Sequence, residues 1–124
     1  SGLISSVITY RRGGVVAAYV LEVGNNTLGH YRYSFYDLAF VNQSLGMWLM
    51  LDAVRDAQER GLSHYYLGTV YGEKALYKTN FDCLSWWDGS SWSNDVVLLR
   101  KIGRDDSERE IPFSDSWKKG LKKF

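Results

Sequence analysis

Two stretches carry the groups that could handle a charged or carbonyl-bearing ligand. The first is Gln43-Ser44-Leu45-Gly46-Met47-Trp48, which lies between an aromatic run and a segment of helical period. Backbone N–H groups at a helix start have no partner within their own helix, and the helix dipole adds positive potential there. A phosphate or a polarised carbonyl suits such a turn, although a glycine near a helix start also serves packing alone. The second stretch is Tyr65-Tyr66-Leu67-Gly68-Thr69-Val70-Tyr71, followed by Ala75-Leu76-Tyr77-Lys78-Thr79-Asn80-Phe81. Its phenols can donate a proton and its lysine can hold an anion. The plainer reading is that Tyr71 and Tyr77 cover a sheet while Lys78 is solvated. Asp37 offers a base, or a turn residue after a strand.

Other chemistries find little to work with. His30 and His64 have no carboxylate or cysteine at ligand spacing, so no metal site is expected. Cys83 is the single cysteine, which excludes an internal disulfide, fits a reducing compartment such as the cytoplasm, and reads as packing. Fifteen basic and fourteen acidic side chains nearly cancel, so any nucleic-acid contact has to be local. No apolar run approaches the roughly 18 residues of a membrane span, and no signal-peptide pattern opens the chain, so a soluble protein without a membrane partner is expected. The opening Ser1-Gly2, with no Met, resembles a cleavage scar, which admits a native start elsewhere. Trp86, Trp87 and Trp92 lie in a Gly-Ser-rich stretch; they could stack on a base or ribose, and closing the end of a core is the favoured reading.

The positioning elements follow from period and punctuation. Ser6 to Arg11, Val15 to Val23 and Leu28 to Tyr36 are rich in β-branched and aromatic residues and are separated by Gly13-Gly14 and Gly24-Asn25-Asn26, which predicts an antiparallel meander. The nearly continuous apolar run of Val15 to Val23 predicts a strand covered on both faces, whereas His30 to Tyr36 alternates polar and aromatic. Asp52, Arg55, Asp56 and Glu59 share one helical face within Ser44 to Arg60, which predicts a central, mostly buried helix capped by Asn42 or Ser44 and closed by Gly61. His64 to Val70 reads as a buried strand parallel to its predecessor, Gly72 to Lys78 as a short helix or turn, and Val96 to Ile102 as a closing strand. Gly103 to Glu110 reads as charged loop, and Ser114 to Phe124 as an amphipathic helix whose Lys118, Lys119, Lys122 and Lys123 could touch phosphates or simply face solvent. The length suits one domain, residues 1–124.

Four of these features in order, Tyr31 to Asp37, Ser44-Leu45-Gly46, Tyr65 to Tyr71 and Leu76-Tyr77-Lys78-Thr79-Asn80-Phe81, resemble the C-terminal half of arginyl-tRNA protein transferases, over roughly Val15 to Trp92. The resemblance implies an α/β (α+β), GNAT-like domain with a mixed, mainly antiparallel sheet and a central buried helix, here without the first strand and helices of the full fold. It implies transfer of an amino acid from aminoacyl-tRNA to a protein or peptide amine, with the charged tRNA as donor substrate and no cofactor.

On that chemistry an amine attacks an ester carbonyl and needs no enzyme nucleophile. Backbone N–H groups near Gly46 would receive the oxyanion, Tyr71 or Tyr77 would donate to the leaving ribose oxygen, Asp37 would assist as a base, and Lys78 would hold a phosphate. Ser44, Leu45, Tyr66, Asn80 and Phe81 fall in the matching segments and would line the substrate. The sequence departs from the family at Leu38, where a Pro is common, and at Leu76, where a Met is usual. Two other readings remain open. Gln43 to Gly46 partly matches the pyrophosphate loop of N-acetyltransferases that use acetyl-CoA, with Trp48 where those enzymes place a small residue. A non-catalytic module that pairs through an exposed sheet edge, as a homodimer or with a partner protein, is the third.

Overall fold

Gly13 and Gly14 both take positive φ, 58° and 79°, as a two-residue hairpin turn requires. They fold β1 (Ile4–Arg12) back onto β2 (Val15–Gly24) antiparallel. The next turn is held by Asn25, whose side-chain oxygen accepts from the amides of Thr27 at 2.8 Å and Leu28 at 3.0 Å, and it leads into β3 (Leu28–Tyr36). The structure is a computed structural model that describes residues 2–39 and 44–108, with side chains up to 105. Helix α1 (Leu45–Glu59) follows, and β4 (His64–Tyr66) then pairs parallel with β3, so the sheet order is β1-β2-β3-β4.

The strand register decides which side chains meet α1. Between Leu21 and Glu22 the pairing steps from Tyr33 to Tyr31, which leaves Arg32 as an extra residue in β3. That bulge turns Tyr31 inward, onto the face shared with Ala18, Val20 and Glu22, all buried, while Tyr33 and Phe35 are exposed on the other face. A strict alternation would have put the three aromatic rings together. Nor is β2 covered on both faces, since Tyr19 stays exposed. Helix α1 buries Leu49, Met50, Ala53 and Ala57 and leaves Trp48 and Leu51 largely exposed, so it is one-sided rather than mostly buried. Gly61, at φ 75°, ends it as expected: its amide reaches Gln58 O at 3.0 Å and that of Leu62 reaches Ala57 O at 3.0 Å.

Among the described residues of this sheet-and-helix unit, Glu22 is the strongly buried carboxylate, 5% exposed. It accepts from Arg60 at 2.8 Å and from the Tyr65 hydroxyl at 2.7 Å, and Arg60 also meets Asp56 at 2.8 Å. Burial and this carboxylate hold the Tyr65 phenol well above the ordinary tyrosine range. Gly29 makes room for the same ring, because a Cβ there would lie 3.0 Å from it.

The chain divides into two compact units, residues 1–69 and 70–124. In the second, a 3₁₀ helix (Glu73–Asn80) and a small hairpin of β5 (Trp86–Trp87) and β6 (Trp92–Ser93) precede α2 (Val96–Glu108). Three expectations are corrected here. Val96 to Ile102 is helical, because Asp95 caps it: its carboxylate accepts the Leu98 amide at 3.0 Å, and Leu99 and Gly103 fall on one buried face at helical spacing. Residues 103–108 extend this helix instead of forming a loop. The strand from His64 stops at Tyr66, and its exposed ends show that it is not a buried strand. Asn42, Gln43 and Ser114 to Phe124 lie outside the described residues.

Arg60→Met should lower stability by about 1.5–3 kcal/mol, the scale of a lost hydrogen bond to a buried charge, whereas Asp56→Asn, at a half-exposed pair, should cost well under 1 kcal/mol. Chemical denaturation of the two variants checks the contrast.

Candidate active site

Helix α1 starts without a side-chain cap. Ser44 occupies the cap position in a left-handed conformation, φ 51° and ψ 38°, and its hydroxyl makes no cap bond; its carbonyl accepts the Trp48 amide at 3.1 Å. No acidic side chain sits in the first turn. The Leu45, Gly46 and Met47 amides are first-turn donors of the kind that carry the positive end of the helix dipole. Beside them stands a phenol that the sequence reading left out: a Cβ on Gly46 would lie 3.8 Å from the Tyr36 hydroxyl. Tyr36 closes β3 on the inward face, opposite buried Ala18. Alternation puts Tyr36 on the face of Ser34, but no local signal in the sequence sets that face against Gly46.

Trp48 is half exposed. Its ring meets Tyr10 of β1 edge to face, 5.5 Å between centroids, and Tyr10 donates to Asp52 at 2.8 Å. Burial, then the bond to Asp52, push the Tyr10 phenol well above its ordinary range.

The remaining candidates are dispersed. Asp37 accepts the Ala39 amide at 2.9 Å through its carboxylate, and its own amide donates to Ala17 O at 3.0 Å, so it holds the turn after β3. Tyr66 lies on β4, which pairs with the opposite end of β3 from Tyr36, about 20 Å along the strand. It points to the face opposite Tyr65, against His64 (centroids 6.5 Å) and His30 (6.3 Å). Within the first unit the structure thus joins Ser44, Leu45, Gly46 and Tyr36, and does not bring Tyr66 to them.

In the second unit Tyr71 is exposed before the 3₁₀ helix, and Tyr77, Lys78 and Asn80 lie on it. Lys78 is half-buried, and desolvation lowers its pKa, so it is not the fully solvated lysine of the plainer reading. Thr79, buried, and Asn80 are tied to Arg100 of α2: Nε donates to Thr79 Oγ1 at 2.9 Å, and one terminal nitrogen reaches Thr79 O at 3.3 Å and Asn80 Oδ1 at 3.5 Å. Phe81 lines a broad depression of about 700 Å³ with these residues. Cys83, at φ 58°, is exposed, and Trp87 and Trp92 are more than half exposed, so neither the cysteine nor these indoles pack a core as expected. Among the described residues no group of three His, Cys, Asp or Glu side chains could hold a metal ion, and no helix is long and apolar enough to cross a membrane.

Residues 2–88 match the family model described as arginine-tRNA-protein transferase, C terminus. The chain belongs to this family. It is also similar to proteins named aspartate/glutamate leucyltransferase: 38% identical over 95 residues to that of Hyphomonas neptunium, covering 71% of this chain and 37% of the relative. The relative from Sinorhizobium medicae is 51% identical over 51 residues, covering 40% and 20%, and that from Rhodopseudomonas palustris 43% over 76 residues, covering 60% and 29%. The chain therefore spans well under half the length of the curated relatives it matches. No solved structure matches it.

The raised phenols give a pH dependence. Tyr10 and Tyr65 keep their protons in the folded state beyond the ordinary value near 10, where the unfolded chain has begun to lose them. Their contribution to stability is complete below that value and is lost as pH rises past it. Lys78, held low, has the opposite slope below its ordinary value. Tyr10→Phe and Tyr65→Phe should each flatten the alkaline fall in melting temperature, with tyrosinate absorbance of the native protein appearing later than in the unfolded chain.

Proposed function

We propose that this chain is the acyl-transferring portion of an aminoacyl-tRNA-dependent aminoacyltransferase that places an amino acid on the N-terminal amine of a protein or peptide. The observation that carries the reading is an uncapped helix start with the Tyr36 hydroxyl beside it, inside the segment that defines the family. The names of the relatives make a leucyl donor and acceptors beginning with Asp or Glu the first choice.

The chemistry asks little of the protein beyond placement. The aminoacyl ester arrives activated, so no cofactor is needed. The neutral amine attacks the carbonyl carbon, the carbonyl oxygen takes the negative charge, and first-turn amides of α1 donate hydrogen bonds to it; the C–O bond then breaks, the ribose oxygen leaves with a proton from a phenol, and the proton given up by the amine nitrogen restores that phenol or passes to the Asp37 carboxylate. Tyr36 is placed to supply that proton, with Tyr71 and Tyr77 as the other phenols in matching segments. The turn bond occupies Asp37 Oδ1, and Oδ2 would be the oxygen that takes the amine proton. Ser44 and Leu45 would line this corner, whereas Tyr66, at the opposite end of β3, is set aside as a lining residue; Lys78, Asn80 and Phe81 belong to the second unit and are kept as donor contacts on the resemblance alone. We further read the α+β arrangement as GNAT-like, the address as cytoplasmic, and the unpaired edge of β1 as the contact of a homodimer, which light scattering would report as twice the chain mass.

Incubation with labelled leucyl-tRNA or arginyl-tRNA and peptides of varied first residue tests the main proposal, with transfer to the N-terminal amine expected. Tyr36→Phe should lower kcat about 10²-fold and Gly46→Val by a similar factor, with little loss of stability. Transfer left unchanged by both substitutions would reject this corner as the site.

A further inference from the structure

The β5–β6 hairpin presents two large aromatic rings to solvent with unusual economy. Trp87 pairs across the strands with Trp92, edge to face, 5.7 Å between centroids, and the two are 54% and 58% exposed. The turn between them is tightly held: the Asp88 carboxylate accepts from the amides of Ser90 and Ser91, both at 2.8 Å, and from their hydroxyls at 3.0 and 3.4 Å, bonds from Ser91 and Ser90 that keep it below the usual carboxylate range. Gly89 supplies the positive φ of 105°. Beneath, Trp86 Nε1 donates to Asp95 O at 3.0 Å and Ser85 Oγ to Asn94 Oδ1 at 2.7 Å, fixing the hairpin to the start of α2. Rings held this way lose little conformational freedom when something stacks on them.

At the foot of the hairpin lies the depression lined by Asn80, Ser85, Asn94 and Arg100. Among the described residues Arg100 is in no ion pair; its hydrogen bonds go to neutral oxygens of Thr79 and Asn80. Asp82, on the rim, is the acid of the lining. Indole faces, amide and hydroxyl groups, and one guanidinium answer in turn to a base, a ribose and a phosphate. A lipid surface would call for several lysines around the indoles, where the flanking residues are Asp88, Ser90, Ser91 and Asp95, and an apolar peptide would call for apolar walls; the same carboxylates restrict an RNA strand here to contact through the ring faces and a single phosphate at Arg100. The family match ends at residue 88, so Trp92 and Arg100 lie beyond the segment it covers.

We propose that the β5–β6 hairpin and the depression at its foot bind an unpaired stretch of RNA, with bases stacked on Trp87 and Trp92 and the backbone met by Asn80, Asn94 and Arg100. The inference rests on the aminoacyl-tRNA reading for the identity of that RNA, the unpaired end that carries the acyl group.

The test uses the full chain and a fluorescent single-stranded RNA of about eight nucleotides ending in CCA, followed by anisotropy. Trp87→Ala and Trp92→Ala, at exposed positions, should each weaken binding about 5- to 150-fold, and a blunt duplex should bind at least tenfold more weakly than the single strand. A contact to one phosphate gives a salt slope near −0.7, which Arg100→Gln should remove. Since Arg100 also tethers the 3₁₀ helix, the two tryptophan variants carry the decision. No binding by the unaltered chain, equal binding of duplex and single strand, or tryptophan variants that bind like the parent would overturn the proposal. Transfer is scored separately. An active chain whose KM for aminoacyl-tRNA ignores both tryptophan substitutions refutes the hairpin site alone, and an inactive chain that still binds RNA through the indoles refutes the transferase reading alone.

Discussion

A carboxylate placed out of water must be fully partnered or it destabilises the fold, and Glu22 is such a carboxylate. Its partners come from two other elements: Arg60 at the end of α1 and Tyr65 in β4. The requirement therefore fixes the last turn of the helix over the C-terminal end of β2 and draws β4 against the start of β3, where Gly29 leaves space for the Tyr65 ring. Fifteen residues of helix extend about 22 Å. Pinned at its C-terminal end, α1 must begin near the far end of β3, and there Tyr36 meets Gly46. The corner proposed for catalysis is thus the distant consequence of a charge buried on the other side of the unit.

The same geometry leaves the first turn of α1 outside the buried core, with Ser44 and Tyr36 exposed and Gly46 partly so. Packing on α1 is carried by Leu49, Met50, Ala53 and Ala57, beyond the first turn, so the first turn is not needed for the core. Trp48 leans on Tyr10, whose hydroxyl is held by Asp52. The helix is anchored at one end by an ion pair and along one side by the half-buried Tyr10 phenol, the kind of fixed frame that the proposed oxyanion receptor needs.

Much of this was legible in the sequence because it is written in local rules. Gly13-Gly14 and Gly24-Asn25-Asn26 mark hairpins through backbone conformations few other residues adopt, and Gly61 marks a helix end in the same way. The ordered aromatic and Ser-Leu-Gly segments carried the family. What escaped depended on non-local choices. The extra residue at Arg32 reversed which rings face α1, and a bulge leaves no mark in an alternating pattern. Val96 to Ile102 has strand-like composition, yet a cap three residues ahead of Leu98 and packing through Leu99 and Gly103 make it helical. The tryptophans looked like core because of their size; a serine-rich turn clamped by Asp88 holds two of them outward instead. Tyr36 was visible as a residue but not as a neighbour of Gly46, since their proximity follows from Glu22 and Arg60.

The claim at the centre is that the first-turn amides of α1 and the Tyr36 phenol surround the acyl carbonyl. Titrating the isotope-labelled chain with a hydrolysis-resistant 3′-amide analogue of a leucyl-nucleoside, and following amide shifts by NMR, addresses it directly. The largest changes should fall on Leu45, Gly46 and Met47 and at the end of β3. Changes confined to other parts of the chain, with these amides unmoved at saturation, would contradict it.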